Sequence, residues 1–400
     1  MKDWRQTTTT QLLTDGVIEI GDGYRAKNVE FVEDGGLPFV RVGDVDTTIR
    51  LNGRDELPIE NKSKYGNKVS APFDSLITMK GTVGRVAYVS EACQFVYSPQ
   101  ISYWRSHDPT QIHPRWLRYW LESPEFLNQA LATKGATDMA DYINLRDQRR
   151  MRITVPPPLD QKRIAAVLGS IDDLIENNRR RIELLEQMAQ AVYQEWFVCF
   201  RYPQVRGRKF PIKDSAEAVH ILPGTSKASI ESDRSVRESL PRGWEDVLVG
   251  DVLELRYGKA LKRGHRKGGP VAVCGSSGII GWHDESLVDG PTIVVGRKGN
   301  VGRVTWIPFP CYPIDTTFFV VTDLPPRFVF EQLRLVEFTN SHAAVPGLSR
   351  DQVYAMPFLK PPRHLMENFE QFSMALGGDA LIVQRQADKL RLIRDLLLPK

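Results

Sequence analysis

The chain has 400 residues, of which 42% are apolar and 26% are charged, and its formal net charge is +4. This length predicts two or three domains of the usual ~100–200 residues, and the apolar content excludes a disordered chain. No apolar run of about 18 residues and no signal-peptide core are present, so we expect a cytoplasmic protein without a membrane span. The four cysteines are scattered, which favours reduced thiols over a zinc site.

Short segments separated by Gly, Pro and Asp turns fill the first hundred residues and predict a β-rich domain. The predicted strands are Val17–Ile20, Phe39–Val42, Ser75–Met79, Arg85–Val89 and Gln100–Trp104. Pro114 then marks a helix start, because proline suits the first helical position. The predicted buried face of this helix comprises Trp116, Leu117, Tyr119, Trp120, Leu121, Phe126, Leu127 and Leu131.

A long helix is predicted from about Asp160 to Phe197. Its apolar residues alternate steps of four and three, a period typical of a coiled coil. The predicted pairing positions are Ile164, Leu168, Ile171, Ile175, Asn178, Ile182 and Leu185, followed by Ala189, Val192 and Trp196. At 1.5 Å per residue, the stretch from Ile164 to Trp196 spans about 48 Å, or about 14 base pairs of duplex DNA.

Residues 201–240 mix basic, Pro, Gly and Ser residues and predict a linker. A second α+β unit follows, with strands predicted at Val271–Val273, Thr292–Val295, Arg303–Ile307 and Thr317–Val321 and a helix around Phe328–Phe338. The C-terminal helix repeats the coiled-coil rhythm at Phe369, Phe372, Leu376, Asp379, Val383, Gln386, Leu390, Ile393 and Leu397. We expect Gly377-Gly378 to weaken it, and we expect the two long helices to pair antiparallel.

The chain carries an internal repeat. The loop Gly81-Thr-Val-Gly-Arg-Val86 recurs as Gly299-Asn-Val-Gly-Arg-Val304 with its flanking features in the same order. The predicted fold class is therefore α+β, with two duplicated β-rich domains joined by two long antiparallel coiled-coil helices. The predicted parts are a first β-rich domain at 1–156, a long helix at 157–200, the linker at 201–240, a second β-rich domain at 241–358 and a C-terminal helix at 359–400.

Basic and polar residues gather at the repeated loops and predict contacts with nucleic acid. Glycines let the backbone approach phosphate, and Arg or Lys can neutralise phosphate or contact guanine. The predicted DNA-binding residues are Lys80, Thr82, Arg85, Lys259, Lys262, Arg263, Ser276, Ser277, Lys298, Asn300 and Arg303, and Lys62, Lys64 and Lys68 are expected to form a weaker basic patch in the first unit. For a single loop, a tight β-turn or a solvated basic surface would be preferred; the duplication favours DNA. Trp282 is predicted to belong to the core.

Catalytic motifs are sparse. The chain has no Gly-x-x-x-x-Gly-Lys-Ser/Thr phosphate loop, no Gly-x-Gly-x-x-Gly fingerprint and no amino-methyltransferase tetrapeptide. Glu60-Asn-Lys62 with Asp46 only loosely resembles a nuclease cluster. We therefore predict a non-catalytic DNA-binding chain that holds no metal. The alternatives are a self-contained DNA-modifying or DNA-cleaving enzyme and a structural coiled-coil adaptor.

The spacer helix resembles that of type I restriction-modification specificity subunits. The similar segments are Pro157-Pro-Leu-Asp-Gln-Lys-Arg-Ile-Ala-Ala-Val-Leu168, Ile171-Asp-Asp-Leu-Ile-Glu-Asn-Asn178 and Glu186-Gln-Met-Ala-Gln-Ala-Val-Tyr-Gln-Glu-Trp-Phe197. Gly275-Ser-Ser-Gly-Ile-Ile-Gly-Trp282, Leu240-Pro-Arg-Gly-Trp244 and both Gly-x-Val-Gly-Arg loops match as well.

The resemblance implies a sequence-specific subunit that reads a split target in double-stranded DNA. Residues 1–156 and 241–358 would be its two target recognition domains, one for each half, and the helices at 157–200 and 359–400 would be its spacers. It also implies two methyltransferase subunits and restriction subunits as partners. S-adenosylmethionine, ATP and Mg would belong to those partners, and this chain would bind no cofactor. Relatives usually continue beyond the position of Lys400, and the resemblance leaves open whether this C-terminus is native or trimmed.

Overall fold

The computed structural model describes residues 4–46, 48–51, 53–81, 83–89, 93–132, 143–202, 240–338 and 347–398. Its contacts form two compact units, Met1–Asn178 with Arg385–Lys400 and Arg179–Gln384. Each unit therefore contains parts of both long helices, and the linear domain boundaries stay a prediction. Most of the predicted linker lies outside the described residues. Within the described residues, every helix is too short or too polar to cross a membrane.

Unit 1 consists of short strands followed by helices. It contains β1 (Arg5–Thr8), α1 (Thr9–Thr14), β2 (Ile18–Asp22), β3 (Leu37–Val40), β4 (Glu56–Leu57), α2 (Lys62–Tyr65), β5 (Ser75–Thr78), β6 (Val86–Tyr88), β7 (Val96–Tyr97) and β8 (Ile101–Ser106). It continues with α3 (Pro114–Leu121), α4 (Pro124–Ala132), α5 (Leu145–Gln148), β9 (Arg152–Val155) and α6 (Pro158–Tyr193), which runs on into unit 2 and ends in a π-helical turn (Gln194–Val198).

Unit 2 follows the same plan. Its elements are β10 (Glu245–Leu248), α7 (Val249–Val252), β11 (Glu254–Tyr257), β12 (Val271–Gly275), β13 (Gly278–His283), β14 (Thr292–Gly296), β15 (Val304–Ile307), β16 (Cys311–Pro313), β17 (Thr317–Val321), α8 (Pro326–Arg334), α9 (Arg350–Tyr354), β18 (Pro357–Lys360) and α10 (Arg363–Leu397). Helix α8 ends at Arg334, earlier than the predicted end at Phe338.

The sheets of the two units have the same topology. Unit 1 has the strand orders β2-β8-β5-β6, β4-β3-β7 and β1-β9, and unit 2 has β11-β17-β14-β15, β13-β12-β16 and β10-β18. The pairs β3/β7 and β12/β16 are parallel, whereas the other strand pairs are antiparallel. The predicted α+β class with a duplicated β-rich unit is confirmed.

Aromatic side chains fill the core where strands meet helices. In unit 1, Trp120 of α3 lies 5.6 Å from Trp104 of β8 between ring centroids, and Phe126 of α4 packs on both. These rings bury large apolar areas, which is the main stabilising contribution. Leu131, predicted to be buried, is 54% exposed because α4 turns that face away from the core.

One face of helix α6 is covered, and its covered residues follow the coiled-coil spacing. Leu168, Asn178 and Ala189 are buried. The remaining predicted positions are half-buried, namely Ile164, Ile171, Ile175, Ile182, Leu185, Val192 and Trp196. The residues between them are mostly exposed, as expected for a helix that presents a narrow apolar face.

Helix α10 has two series of covered residues along one face. Only one of these series follows the predicted coiled-coil positions. Phe369, Leu376, Val383 and Leu390 lie on the covered face. The other series is displaced by one residue and comprises Ser373, Ala380, Ala387 and Arg394. Asp379, Gln386, Ile393 and Leu397 are exposed, so their prediction as pairing positions is wrong, whereas Phe372 is half-buried. Small side chains allow close helix approach, and apolar periodicity alone cannot detect that preference.

The glycine pair does not interrupt α10. Gly377 and Gly378 remain helical, and a Cβ at either position would meet no atom within 4 Å. The expected weakening, about 1 kcal/mol for each glycine, is smaller than the packing energy of buried neighbours such as Phe369 and Val383. Packing therefore overrides local propensity here.

Contacts within each unit give the direction of the long helices. In unit 2 the end of α6 packs on the start of α10, with 5.5 Å between the ring centroids of Phe197 and Phe369. In unit 1 the last turns of α10 contact α6, where Arg394 Nη1 lies 3.2 Å from Asp172 Oδ1. Since the end of one helix meets the earlier part of the other in each case, α6 and α10 are antiparallel.

Candidate nucleic-acid interface

The repeated glycine loops form equivalent hairpins in the two units. Gly81 and Gly84 join β5 to β6 with φ of 87° each, and Gly299 and Gly302 join β14 to β15 with φ of 80° and 76°. Only glycine adopts this left-handed backbone readily. The turn conformation therefore accounts for the glycines, and any contact with a ligand depends on the side chains between them.

The two hairpin arginines have different surroundings. Arg85 is half-buried, and its Nη1 donates to the carbonyl of Val45 at 3.2 Å. Arg303 is exposed, and its guanidinium has no partner among the described residues. The structure thus makes Arg85 a support of its own unit and leaves Arg303 open to solvent. Thr82 lies outside the described residues.

In unit 2 the structure brings together predicted residues from two hairpins. A Cβ added to Gly299 would lie 3.0 Å from Ser276 Oγ, and one added to Gly278 would lie 3.8 Å from Arg303 Nη2. The turn between β12 and β13 therefore lies against the glycine hairpin. Their exposed members are Ser277, Lys298, Asn300 and Arg303, and Ser276 is half-buried.

A basic loop after β11 extends this surface. Lys259, Lys262 and Arg263 are exposed, and none of them has a carboxylate partner within the described part of the chain. Two further cations hold the loop on β13. Arg266 Nη1 donates to the Ile280 carbonyl at 2.8 Å, and Lys267 Nζ lies 3.3 Å from Asp284. The loop thus presents unpaired positive charge on an anchored backbone.

The equivalent segment in unit 1 is the loop after β2, residues 23–31. Gly23 packs against the turn before β8, and Gly258 packs against the turn before β17. A Cβ added to either glycine would lie 2.2 Å from a carbonyl oxygen of that turn, so the two glycines occupy matching places. The exposed cations of this loop are Arg25 and Lys27. Sequence reasoning missed this loop, although its position after the second strand of the repeat was available as a signal.

Three lysines of the predicted basic patch of unit 1 are engaged within the unit, and the patch itself stays a prediction. Lys64 forms an ion pair with Glu30, Lys68 Nζ lies 3.3 Å from Asp22, and Lys62 Nζ donates to the Gln94 side chain at 3.2 Å. These lysines hold loops together, so their charges are already partly satisfied within the unit.

Lys80 lies in a cleft beside the loop of residues 23–31. The cleft has a volume of about 720 Å³. Its lining residues are Arg25, Ala26, Asn28, Phe31, Phe39, Arg41, Val42, Gly43, Lys80, Gly81, Ser98, Pro99 and Gln100. Three cations and two side-chain amides therefore meet at one opening, which suits an anionic partner with hydrogen-bonding edges.

Glu30 fixes the shape of the loop in unit 1. It accepts hydrogen bonds from Lys64, from the backbone N–H of Lys27 at 2.7 Å and from the hydroxyl of Tyr24 at 2.9 Å. The bonds from Lys64, then Lys27 and Tyr24, lower the pKa of Glu30 from 4.5 to about 2. The carboxylate is therefore ionised at any ordinary pH, and the loop stays tethered.

Trp282 is not a core residue. It is 48% exposed on the edge strand β13, where Ile279 is similarly exposed, so its predicted burial is wrong. An exposed tryptophan beside a basic loop offers a stacking surface. Among the described residues, no group of three or more His, Cys, Asp or Glu side chains could hold a metal ion.

The family model for the type I restriction modification DNA specificity domain matches residues 13–187. The matched residues, which make up less than half of the chain, are similar to that domain. The resemblance to type I specificity subunits predicted from the sequence is therefore confirmed. The specificity-domain match ends within α6, and unit 2 repeats the strand topology of unit 1 beyond it.

Curated relatives carry related descriptions. The chain is 23% identical over 286 residues to the type I restriction enzyme MjaIX specificity subunit of Methanocaldococcus jannaschii, an alignment that spans 63% of this chain and 60% of that relative. It is 19% identical over 342 residues to the type I restriction enzyme HindI specificity subunit of Haemophilus influenzae, spanning 70% of this chain and 74% of the relative.

A solved structure has a similar fold. The chain aligns with the crystal structure of the S subunit of a type I restriction-modification system from M. genitalium at a TM-score of 0.50 and 15% identity. The alignment covers 99% of this chain and 95% of the other. The likeness extends over both units and both long helices, so the whole chain shares this fold.

Proposed function

We propose that this chain is the sequence-specific DNA-binding subunit of a type I restriction-modification complex. Each unit reads one half of a bipartite target, and α6 and α10 set the unread gap between the halves. The duplicated topology carries the proposal, because it presents the same glycine hairpin beside the same loop in both units. Two copies with different side chains suit two different half-sites.

The proposed DNA contacts are the predicted residues of both units. They are Lys80, Thr82 and Arg85 in unit 1 and Lys259, Lys262, Arg263, Ser276, Ser277, Lys298, Asn300 and Arg303 in unit 2. The cations of unit 2 among these residues have no carboxylate partners within the described part of the chain, so DNA phosphates can replace water around them without breaking ion pairs. Binding of this kind is strongly salt-dependent.

In this proposal the chain performs no chemistry. Two modification subunits would methylate the DNA with S-adenosylmethionine, and restriction subunits would use ATP and Mg. The paired helices would also fix how far apart the two readers sit. The family match and the specificity subunits among the curated relatives support this assignment.

Selection from a random duplex library tests the proposal. The chain, co-purified with the methyltransferase that accompanies it, is expected to enrich two short motifs separated by a fixed unread gap. Enrichment of one compact motif, or none from a folded complex, would contradict it. Deleting seven residues, Ile175–Arg181, removes two helical turns and is expected to shorten the gap. An unchanged gap would refute the role of the helices.

A further inference from the structure

The loop of residues 23–31 is the least explained surface of unit 1. It lies beside Lys80 in the cleft described above, yet Arg25 and Asn28 have no side-chain partner among the described residues. Gln100, on the turn between β7 and β8, lines the same cleft with a free side-chain amide. Exposed polar groups on a tethered loop are available for recognition without prior rearrangement.

We propose that Arg25, Asn28 and Gln100 read base edges in the half-site bound by unit 1. The inference rests on the proposed function and adds to it the residues that determine specificity. Asn and Gln can form paired hydrogen bonds with adenine N6 and N7, and Arg can do so with guanine O6 and N7. Lys80, from the glycine hairpin at the same cleft, contacts the adjacent phosphate.

The backbone around these residues is held in place from two sides. Tyr24 N–H donates to the Tyr97 carbonyl at 2.7 Å, and Met79 N–H donates to the Gln100 carbonyl at 2.8 Å. One turn thus anchors both the loop and the hairpin that carries Lys80. Reading a base edge requires this kind of fixed position, because a displaced amide loses its paired geometry.

The interior of the cleft contains a further unsatisfied group. Ser98 is buried, and its Oγ has no hydrogen-bond partner among the described residues. Nearby, Arg41 is held over Phe39 with its Cζ 5.1 Å from the ring centroid and is paired with Asp55. Since Arg41 is engaged in this way, the free recognition groups are those of Arg25, Asn28 and Gln100.

The equivalent positions of unit 2 carry different side chains. Backbone bonds of Arg297 and Lys298 to the carbonyl of Thr316 match the bond of Met79 to Gln100, so Thr316 occupies the place of Gln100. The loop that corresponds to residues 23–31 is the basic loop of Lys259, Lys262 and Arg263. The same framework therefore carries amides in one unit and mainly cations in the other, as two readers of unlike half-sites require.

The test uses the full chain in its methyltransferase complex and the random duplex library. Asn28→Ala, Gln100→Ala and Arg25→Ala are each expected to relax a base preference in one half-motif while the other half-motif and the gap stay unchanged. When a paired contact is lost, we expect discrimination between the preferred and the other bases at that base pair to fall by about 5- to 150-fold. The unchanged half reports that the variant remains folded.

Two comparisons make the outcome decisive. Lys80→Ala is expected to weaken binding to all sequences without changing the motif, and Arg5→Ala, on exposed β1, is expected to change neither. If the three variants weaken binding uniformly with an intact motif, they contact phosphate only and the inference is wrong. An intact motif with intact affinity would also overturn it. If the wild-type complex itself selects no split motif, the proposed function fails instead.

Discussion

Replacing Arg394 tests the observed register of α10 against the register predicted from periodicity. The side chain of Arg394 is 13% exposed and lies 3.2 Å from Asp172 and 3.9 Å from Glu122. Breaking a buried ion pair can cost about 3–5 kcal/mol. Because Arg118 also pairs with both carboxylates, we expect Arg394→Ala to lower the free energy of unfolding of unit 1 by about 2 kcal/mol.

Two matched variants on the same helix complete the experiment. Ile393 is 48% exposed, so Ile393→Ala is expected to cost about 1 kcal/mol or less, whereas a buried position would cost about 2–5 kcal/mol. Arg391 forms an exposed ion pair with Asp388 at 2.7 Å, so Arg391→Ala should cost less than about 0.5 kcal/mol.

Urea unfolding and amide hydrogen exchange together measure the effect. Arg394→Ala should accelerate exchange in the last turns of α10, in α3 and around Asp172 of α6, the three helices that share the ion-pair cluster. The control Arg391→Ala should not. If Ile393→Ala proves more damaging than Arg394→Ala, the register described above is wrong and the one predicted from the sequence is right.

The pH dependence of the Arg394→Ala effect has a definite sign. Burial raises the pKa of Glu122, and Arg118 and Arg394 oppose that shift. A raised pKa means that the folded state binds the proton more tightly than the unfolded state. Unit 1 therefore loses stability as the pH rises from the ordinary pKa of Glu122 through its raised value in the folded state. Removing Arg394 raises the pKa further. The cost of the substitution should therefore shrink as the pH falls from neutral towards 4.5, the ordinary pKa of the group.

Three further predictions concern the hairpins and the loop. Gly302→Ala should destabilise more than Gly84→Ala in thermal unfolding, because both add about 1–2 kcal/mol of backbone strain but only the former places a Cβ 2.6 Å from Phe338; equal effects would contradict this packing. Arg303→Ala should reduce the slope of log affinity against log salt by about 0.9 if that guanidinium meets one phosphate, and an unchanged slope would exclude the contact. Glu30→Gln should speed tryptic cleavage in the loop of residues 23–31 at neutral pH. The wild-type loop should stay protected at pH 6, because the depressed pKa keeps the carboxylate ionised until the pH falls below 4.5 towards about 2.

Much of the fold could be predicted because its signals are local. Strands bounded by glycine and proline turns, a helix beginning at Pro114 and the long 3.5-residue period each depend on neighbouring residues. The repeat was visible for the same reason, since both copies of the glycine hairpin need left-handed backbone at matching places. Local chemistry also restricted the candidate interface to the hairpins and the basic loop.

The candidate site was only partly predictable because exposure and pairing depend on distant residues. Lys64 and Lys68 have the same composition signal as Lys259 and Lys262, yet carboxylates of other elements neutralise the first pair and not the second. Trp282 is apolar enough for a core, but its place on an edge strand leaves it exposed.

The sequence by itself determined the duplicated plan, the elements and the rhythm of the helices. Tertiary structure decided which side chains of α10 face α6 and which cations remain free. Arg394 meets Asp172 across 222 residues of sequence, and no local pattern specifies such a pair. Burying a charge becomes acceptable only when its partners are in place, so the folded contacts, rather than hydrophobic periodicity, select Arg394 over Ile393.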